Sequence, residues 1–405
     1  MTGTGTGTGT GPRVTLPGAD GTLEDHRLAP ARGWDRPSAP FNSRVAYAAA
    51  HVVPVVTAET APGAPAVLDW DSTLGFRHHL WSLGLGVAEA MDTAQRGMGL
   101  DWPAAAELIR RSSAEAASVG GTIACGAGTD EVLPAQVAGA DPAGALRTVT
   151  DAYRGQLDVV GEAGARPILM ASRALAAAAR DADDYRSVYS DLLSRSTAPV
   201  ILHWLGEAFD PQLAGYWGHD DPYAAAEVLL DLVREHRGAV DGMKISLLDA
   251  DLEIWVRERL PEGVRMYTGD DYNYPDLVVG DERGHSDALL GIFAAIAPAA
   301  SHALSALDAG DTAGAHATLA STQALGRHVF AAPTFYYKTG VAFLAWLNGH
   351  QPGFQMVGGL QSGRSVPHLV ELVRLADAAG LLTDPDLAAT RMTRFLDVAG
   401  IGAGR

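Results

Sequence analysis

The sequence predicts a (β/α)8 barrel followed by a C-terminal helical subdomain. Eight short apolar runs alternate with helix-like segments over about 250 residues, which is typical of a parallel α/β fold and favours a closed barrel. After Pro298 the pattern becomes helical throughout. Of the 405 residues, 47% are hydrophobic and 19% are charged, so the chain can bury a large core and is not a disordered protein.

The chain divides into three predicted parts. Residues 1–43 combine a flexible Thr-Gly tail (1–11) with a segment rich in proline, glycine and charge that could wrap the domain surface. Residues 44–300 form the barrel, and residues 301–405 form the helical subdomain. The apolar faces of these last helices are expected to stabilise the barrel or a homo-oligomer.

Each barrel element has its own signal. Asp101 and Asp141 precede first turns that contain proline, as helix N-caps do. The apolar runs expected as strands are residues 45–56, 84–90, 121–125, 166–170, 199–203, 240–245, 264–267 and 288–295. Other helices are predicted at 72–82, 185–194, 222–236 and 249–259, and in the C-terminal part at 303–307, 312–330, 338–348, 366–379 and 385–398.

Composition excludes several classes of partner. The net charge of −18 disfavours nucleic acids and anionic membrane surfaces, because both need clustered basic residues. Cys125 is the single cysteine, so no intrachain disulfide and no cysteine-based metal cluster can form, and a reducing cytoplasm is expected. The start of the chain has no pattern of a signal peptide, and the longest apolar stretch, near residues 288–300, is too short to span a bilayer.

Lys244 is the sharpest candidate for chemistry. It lies inside an apolar strand pattern, where burial lowers the pKa of an ammonium group. A neutral lysine can attack a ketone and form a Schiff base. The alternative is a structural lysine paired with a carboxylate such as Asp270, and the residues alone leave both interpretations open.

Further candidates follow the ends of other strands, where barrel enzymes place their reactive groups. His203 is a candidate general acid or base. Asp270 could position Lys244 or abstract a proton. The candidate substrate-binding residues are Asp92, Thr93, Gln95, Ser172, Asp271 and Tyr272.

The order of several short motifs resembles the dihydrodipicolinate synthase/N-acetylneuraminate lyase family, which consists of class I Schiff-base aldolases on (β/α)8 barrels. These motifs are GMK (242–244), TGDD (268–271), APTFYYKTG (332–340), GRSVPHL (363–369) and AGLL (379–382). The resemblance covers about residues 44–382, and it rests on order and spacing more than on any single motif. It implies that Lys244 is the Schiff-base lysine.

Two departures mark the chain as a remote member of that family. The family has a Gly-Thr-Thr-Gly-Glu run that binds a keto-acid carboxylate, and residues 92–97 stand in its place here. Thr93 could keep part of that binding role, and Gln95 or Arg96 could contact a polar substrate. The family's proton-shuttling tyrosine, which follows the fourth barrel strand, is missing, because Ser172 and Arg173 follow the strand predicted at residues 166–170. His203 is the first replacement for this tyrosine, and Asp270 is its competitor.

The expected function is a lyase of the aldolase type that cleaves or forms a carbon–carbon or carbon–oxygen bond. Its substrate would be a small carbonyl compound, either a keto acid or a sugar-derived keto compound. No cofactor and no metal are expected, because the imine itself acts as the electron sink. One alternative is a metal-dependent sugar isomerase or epimerase, and another is a barrel without catalysis. The metal alternative would use Glu89, His203, Glu207, Asp270 and His285.

Overall fold

The barrel is the organising feature of the computed structural model, which describes residues 11–402; most of the tail predicted at 1–11 lies outside these residues. An antiparallel hairpin of β1 (Arg13–Pro17) and β2 (Leu23–Arg27) precedes eight parallel strands. The strands follow chain order around the barrel, and β10 pairs with β3 to close it, which confirms the predicted fold. They are β3 (Ala46–Ala49), β4 (Gly86–Glu89), β5 (Ile123–Ala127), β6 (Arg166–Leu169), β7 (Val200–Leu205), β8 (Val240–Ser246), β9 (Arg265–Thr268) and β10 (Asp287–Leu290).

Helices connect the strands and continue beyond the last one. Asp101 and Asp141 cap their helices as predicted, accepting bonds from Ala104 N (2.9 Å) and Gly144 N (2.8 Å). The helices between strands are α1 (Trp70–Ser82), α2 (Trp102–Val119), α3 (Pro134–Val137), α4 (Pro142–Glu162), α5 (Arg173–Ala178), α6 (Ala182–Arg195), α7 (Pro222–Glu235), α8 (Ala250–Arg257) and α9 (Tyr274–Val279). The C-terminal helices are α10 (Ile292–Ala295), α11 (Ala297–Asp308), α12 (Thr312–Val329), α13 (Tyr337–Leu347), α14 (Val366–Ala378) and α15 (Pro385–Val398).

The last predicted strand is wrong in its length. The apolar run at 288–295 contains the end of β10 and then helix α10, separated by Gly291. Both elements are buried on all sides, so hydrophobicity shows no period that would separate strand from helix.

The inward face of the strands forms an apolar cluster inside the barrel. Neighbouring strands are in register, for example Ile168 with Ile201 and Ala88 with Ala124. Because side chains alternate along a strand, His203 lies on the same inward face as Ile201. The interior cluster is Tyr47, Ala49, Ala88, Met91, Ala124, Ile168, Ile201, Tyr267 and Leu289.

The N-terminal segment packs on the C-terminal helices rather than on the barrel mouth. Val14 and Leu16 are buried where β1 contacts α14 and α15. Asp377 on α14 bonds to the His26 ring (2.9 Å) and accepts from Ala29 N (2.8 Å). Within residues 11–402, no helix combines the length and apolarity needed to cross a bilayer.

Candidate active site

Lys244 projects into the barrel from β8. It is 5% exposed and lies in register with His203 on β7 and Tyr267 on β9. Among residues 11–402 its ammonium group has no hydrogen-bonding or ion-pairing partner, so the predicted alternative of a lysine paired with Asp270 is not observed. Burial lowers the pKa of Lys244, while the charges of Asp92 and Asp271 raise it.

Gly269, in the loop that directly follows β9, leaves space for the Lys244 side chain. A Cβ atom at Gly269 would lie 2.9 Å from Cε of Lys244 and 2.2 Å from Oγ of Ser246. A side chain at this position would therefore displace the lysine.

Asp271 is the carboxylate after β9 that faces Lys244. It accepts a hydrogen bond of 2.8 Å from Ile292 N, and burial raises the pKa of Asp271 well above its ordinary value, with the Lys244 charge opposing. Asp270 is placed differently. Its carboxylate accepts from Tyr272 N (2.8 Å) and from the backbone and side chain of Asn273 (2.9 and 2.8 Å), so its described bonds hold the turn.

Asp92 is held by the C-terminal part of the chain. It follows β4 in a short helical turn, and its Oδ2 accepts a hydrogen bond of 2.6 Å from the Tyr337 hydroxyl. Tyr337 also bonds to the Thr93 hydroxyl at 2.6 Å and stacks on the ring of Phe330 at 4.3 Å. Burial raises the pKa of Tyr337 well above its ordinary value, so this phenol keeps its proton.

His203 lies beside Lys244 with one ring nitrogen bonded. Its Nε2 contacts Oγ of Ser246 at 3.2 Å, and its buried Nδ1 has no partner among residues 11–402. Burial and the charge of Lys244 lower the pKa of His203 well below its ordinary value. The imidazole is therefore neutral at physiological pH.

Two predicted binding residues have their polar groups directed to other parts of the protein. The Gln95 amide donates to the carbonyl groups of Val357 (2.7 Å) and Met98 (3.1 Å). The Tyr272 hydroxyl donates to the carbonyl of Phe330 at 2.8 Å. Both interactions tie loops of the mouth to one another.

A cavity of about 220 Å³ opens at the barrel mouth. Of the predicted site residues, Asp92 and Ser172 line it, and the Ser172 hydroxyl bonds to that of Thr129 at 2.6 Å. Asp92 links this cavity with Lys244, since its carboxylate lines the cavity and its charge raises the pKa of the lysine. The other lining residues are Arg96, Gly97, Met98, Thr129, Asp130, Val132, Leu133, Pro134, Met170, Ala171, Arg173, Ala174, Leu205, Phe209, Asp210, Leu213 and Lys338.

Lys338 on α13 is the main site residue that sequence analysis did not assign. It is 1% exposed and lines the cavity, and burial lowers its pKa to about 8. One signal could have revealed it: the 405 residues contain 28 arginines and only two lysines, Lys244 and Lys338. Both are buried, and the charge of Asp92 acts on both.

The ligands proposed for a metal-dependent isomerase are not brought together. Glu89 is fully buried and forms a two-point ion pair with Arg77, at 2.8 Å from Nε and 2.9 Å from Nη2. Within residues 11–402 no group of three or more His, Cys, Asp or Glu side chains has the arrangement of a metal site. Glu89 instead anchors α1 to β4.

Solved structures share this fold. The dihydrodipicolinate synthases of Aquifex aeolicus and Thermotoga maritima are 12% and 15% identical to this chain; the alignments cover 84% of it and 99% and 100% of theirs, with TM-scores of 0.61. The chloride-inhibited enzyme of Acinetobacter baumannii, complexed with pyruvate, is 16% identical, with 84% and 100% covered and a TM-score of 0.60. The resemblance deduced from the motifs is therefore confirmed at the level of the fold.

Sequence comparison gives a family but no characterised relative. No curated protein matches the chain. The sequence profile of DUF993, described as a protein of unknown function, matches residues 14–401, which is nearly the whole chain. The chain therefore belongs to the DUF993 family, and it has the barrel fold of the dihydrodipicolinate synthases.

Proposed function

We propose that this protein is a lyase of the class I aldolase type, in which Lys244 forms a Schiff base with a keto acid or a sugar-derived keto compound. The observation that carries the proposal is the position of Lys244, buried and unpaired among residues 11–402, in the carboxyl-terminal half of a barrel strand and within the field of Asp92 and Asp271. A lysine with a lowered pKa supplies the neutral amine that attacks a carbonyl carbon.

The neighbouring groups suit the proton transfers of imine formation. The Lys244 nitrogen bonds to the carbonyl carbon, the amine loses its two protons, the carbonyl oxygen gains two, and this oxygen leaves as water when the C=N bond forms. Asp271, whose pKa burial raises, is the proposed proton donor. His203, which is neutral, is the proposed acceptor for the proton at the reacting carbon. Asp270 is less suited, because its carboxylate holds its own turn.

Substrate binding is proposed for the polar groups that line the mouth. Asp92 and Ser172 face the cavity and can bond to hydroxyl groups of a polyhydroxylated substrate. Thr93 and Tyr337 would keep the Asp92 carboxylate in place. We further propose a homo-oligomer in a reducing cytoplasm, as the sequence leads us to expect; light scattering on the purified protein tests the assembly state.

Reductive trapping with borohydride tests the proposal. The protein is incubated with a panel of keto acids and keto sugars and reduced, and the adduct is mapped by mass spectrometry. Pyruvate is the first ligand in the panel, since a structure of the same fold is complexed with it. Because the chain has two lysines, each adduct is assigned without ambiguity. We expect the added mass on the peptide that contains Lys244, and its loss in Lys244→Met.

Two outcomes would contradict the proposal. An adduct confined to Lys338 would mean that the wrong amine has been assigned. Failure of every carbonyl ligand to form an adduct, in a protein shown to be folded by circular dichroism, would favour a barrel without catalysis.

A further inference from the structure

The ammonium group of Lys338 is buried beside the mouth cavity with little to bind. Its Nζ donates to the thioether sulfur of Met98 at 3.3 Å and lies 5.3 Å from the ring centre of Tyr337. Within residues 11–402 these are its polar and aromatic partners, and no carboxylate pairs with it directly. A thioether is a weak acceptor and an ammonium group has three N–H bonds, so donors remain for a ligand in the cavity.

The carboxylates that line the cavity wall already accept hydrogen bonds from other residues. Asp210 accepts from Arg173, and Asp130 accepts from Arg96. Asp92 accepts from Tyr337, and its charge is shared between the two lysines. None of these acids is therefore available as a dedicated partner for Lys338.

One basic group of the cavity wall is left for an anion. Arg96 pairs with Asp130 and Arg173 pairs with Asp210, whereas Lys338 has no carboxylate bound directly to it within residues 11–402. The cavity volume of about 220 Å³ corresponds to roughly seven water molecules, enough for a small organic acid. The charged residues that line the cavity are the basic residues Arg96, Arg173 and Lys338 and the carboxylates Asp92, Asp130 and Asp210.

We propose that Lys338 binds an oxyanion of the substrate, a carboxylate or a phosphate group, in the mouth cavity. This inference rests on the proposed function, because the ligand is the carbonyl compound that reacts at Lys244. Lys338 then acts as the residue that selects anionic carbonyl compounds over neutral ones.

The test uses the fact that only two residues are lysines. Protein labelled with 13C-lysine gives two lysine Cε signals by NMR, which the variants Lys244→Met and Lys338→Met assign. Lactate and glycerol 3-phosphate are the carboxylate and phosphate probes, and neither can form an imine. Lactamide is the neutral counterpart of lactate.

At least one of the two anions should shift the Lys338 signal in a saturable manner and raise the pKa measured for this residue. Lactamide should have no effect. Lys338→Met should weaken binding of that anion at least about tenfold, because a charged hydrogen bond is lost. Arg110→Met, on the exposed face of α2, is the matched control and should bind as the wild type does. Which anion binds distinguishes a carboxylate site from a phosphate site.

The inference is overturned if neither anion gives a saturable shift of the Lys338 signal, or if lactamide shifts it equally. The NMR titration of the wild type decides this even if Lys338→Met fails to fold. Failure of imine trapping together with an intact response of Lys338 would overturn the proposed function alone. Trapping at Lys244 without any response of Lys338 would overturn this inference alone.

Discussion

The hydroxyl group of Tyr337 donates a hydrogen bond of 2.6 Å to the carboxylate of Asp92, although 245 positions separate the two residues. This bond joins the first turn of α13 to the loop that follows β4. The C-terminal helices thus complete the barrel mouth, and they supply Lys338 from the same turn.

Removing this hydroxyl should weaken both the fold and the site. Tyr337→Phe leaves the half-buried carboxylate of Asp92 without its donor, and we expect a loss of about 1 kcal/mol in the free energy of unfolding. Urea denaturation measures this loss. The control is Tyr336→Phe, because the hydroxyl of Tyr336 makes no hydrogen bond in the described part of the chain. Equal stability of the two variants would contradict a structural role of the Tyr337–Asp92 bond.

Lys338→Met should be more stable than the wild type at pH 7. The pKa of Lys338 is about 8 in the folded protein and 10.5 in its ordinary state, so the ammonium form costs about 3 kcal/mol when buried. Between these two values the folded protein has released the proton that the unfolded chain still holds, and the wild type gains stability as the pH rises. The advantage of the variant should therefore shrink above pH 8. Urea titrations at pH 7 and pH 10 test this prediction. A stability difference between variant and wild type that grows with pH would contradict a lowered pKa of Lys338.

The contribution of Glu253 to the free energy of unfolding should fall as the pH rises, opposite to that of Lys338. This buried carboxyl group accepts bonds from Thr268 (2.9 Å) and Ser286 (2.7 Å), and burial raises its pKa to about 8 from 4.5. Above pH 4.5 the unfolded chain loses a proton that the folded protein retains, so stability should fall by a few kcal/mol up to pH 8.

Glu253→Gln should remove this decline, because an amide does not ionise. Melting temperatures between pH 5 and pH 8 measure the decline in stability, and Glu258→Gln, at an exposed position, is the control. A decline as steep in Glu253→Gln as in the wild type would assign the effect to other groups.

Gly269→Ala should move Lys244 out of position. The new methyl group would meet Cε of Lys244 and Oγ of Ser246, so we expect a loss of about 1–3 kcal/mol in stability. Borohydride trapping at Lys244 should fall strongly. Gly238→Ala is the control, since a Cβ atom there meets nothing within 4 Å. Normal trapping in Gly269→Ala would show that the lysine reacts from another position.

His203→Ala should reduce turnover by about 10²–10⁴-fold on a substrate found by trapping, which is the usual contribution of a general acid or base. Asp270→Asn keeps one acceptor oxygen for the backbone bonds of its turn and should retain more activity. Steady-state kinetics of both variants decide between them. Near-normal turnover in His203→Ala, with abolished turnover in Asp270→Asn, would assign the proton transfer to the carboxylate.

Sequence periodicity was sufficient to predict the barrel and the inward position of Lys244, because both follow from local patterns of apolar residues. It could not decide which of two adjacent acids, Asp270 or Asp271, faces the lysine. The answer depends on the conformation of the turn after β9, where the Asp270 carboxylate accepts hydrogen bonds from the backbone of the turn itself. The eighth strand was predicted too long for a related reason, since a fully buried helix looks like a buried strand.

The contribution of α13 was beyond sequence analysis, because the position of a distant helix on the mouth depends on packing of the whole C-terminal part. Tyr337 and Lys338 lie in the APTFYYKTG motif, which was identified only as part of a resemblance. Composition nevertheless held a clue, since two lysines among 30 basic residues are unusual enough to ask where both are placed.

Because both lysines are buried, the folded protein offers amine-reactive dyes and crosslinkers no lysine on its surface. Within residues 11–402 every exposed ammonium or guanidinium side chain belongs to an arginine, which such reagents leave untouched. The rate at which an ester dye modifies lysine should therefore report how accessible the two buried amines at the barrel mouth are. A ligand bound in the mouth cavity should slow the modification of lysine, so dye protection can screen for ligands before any activity is known.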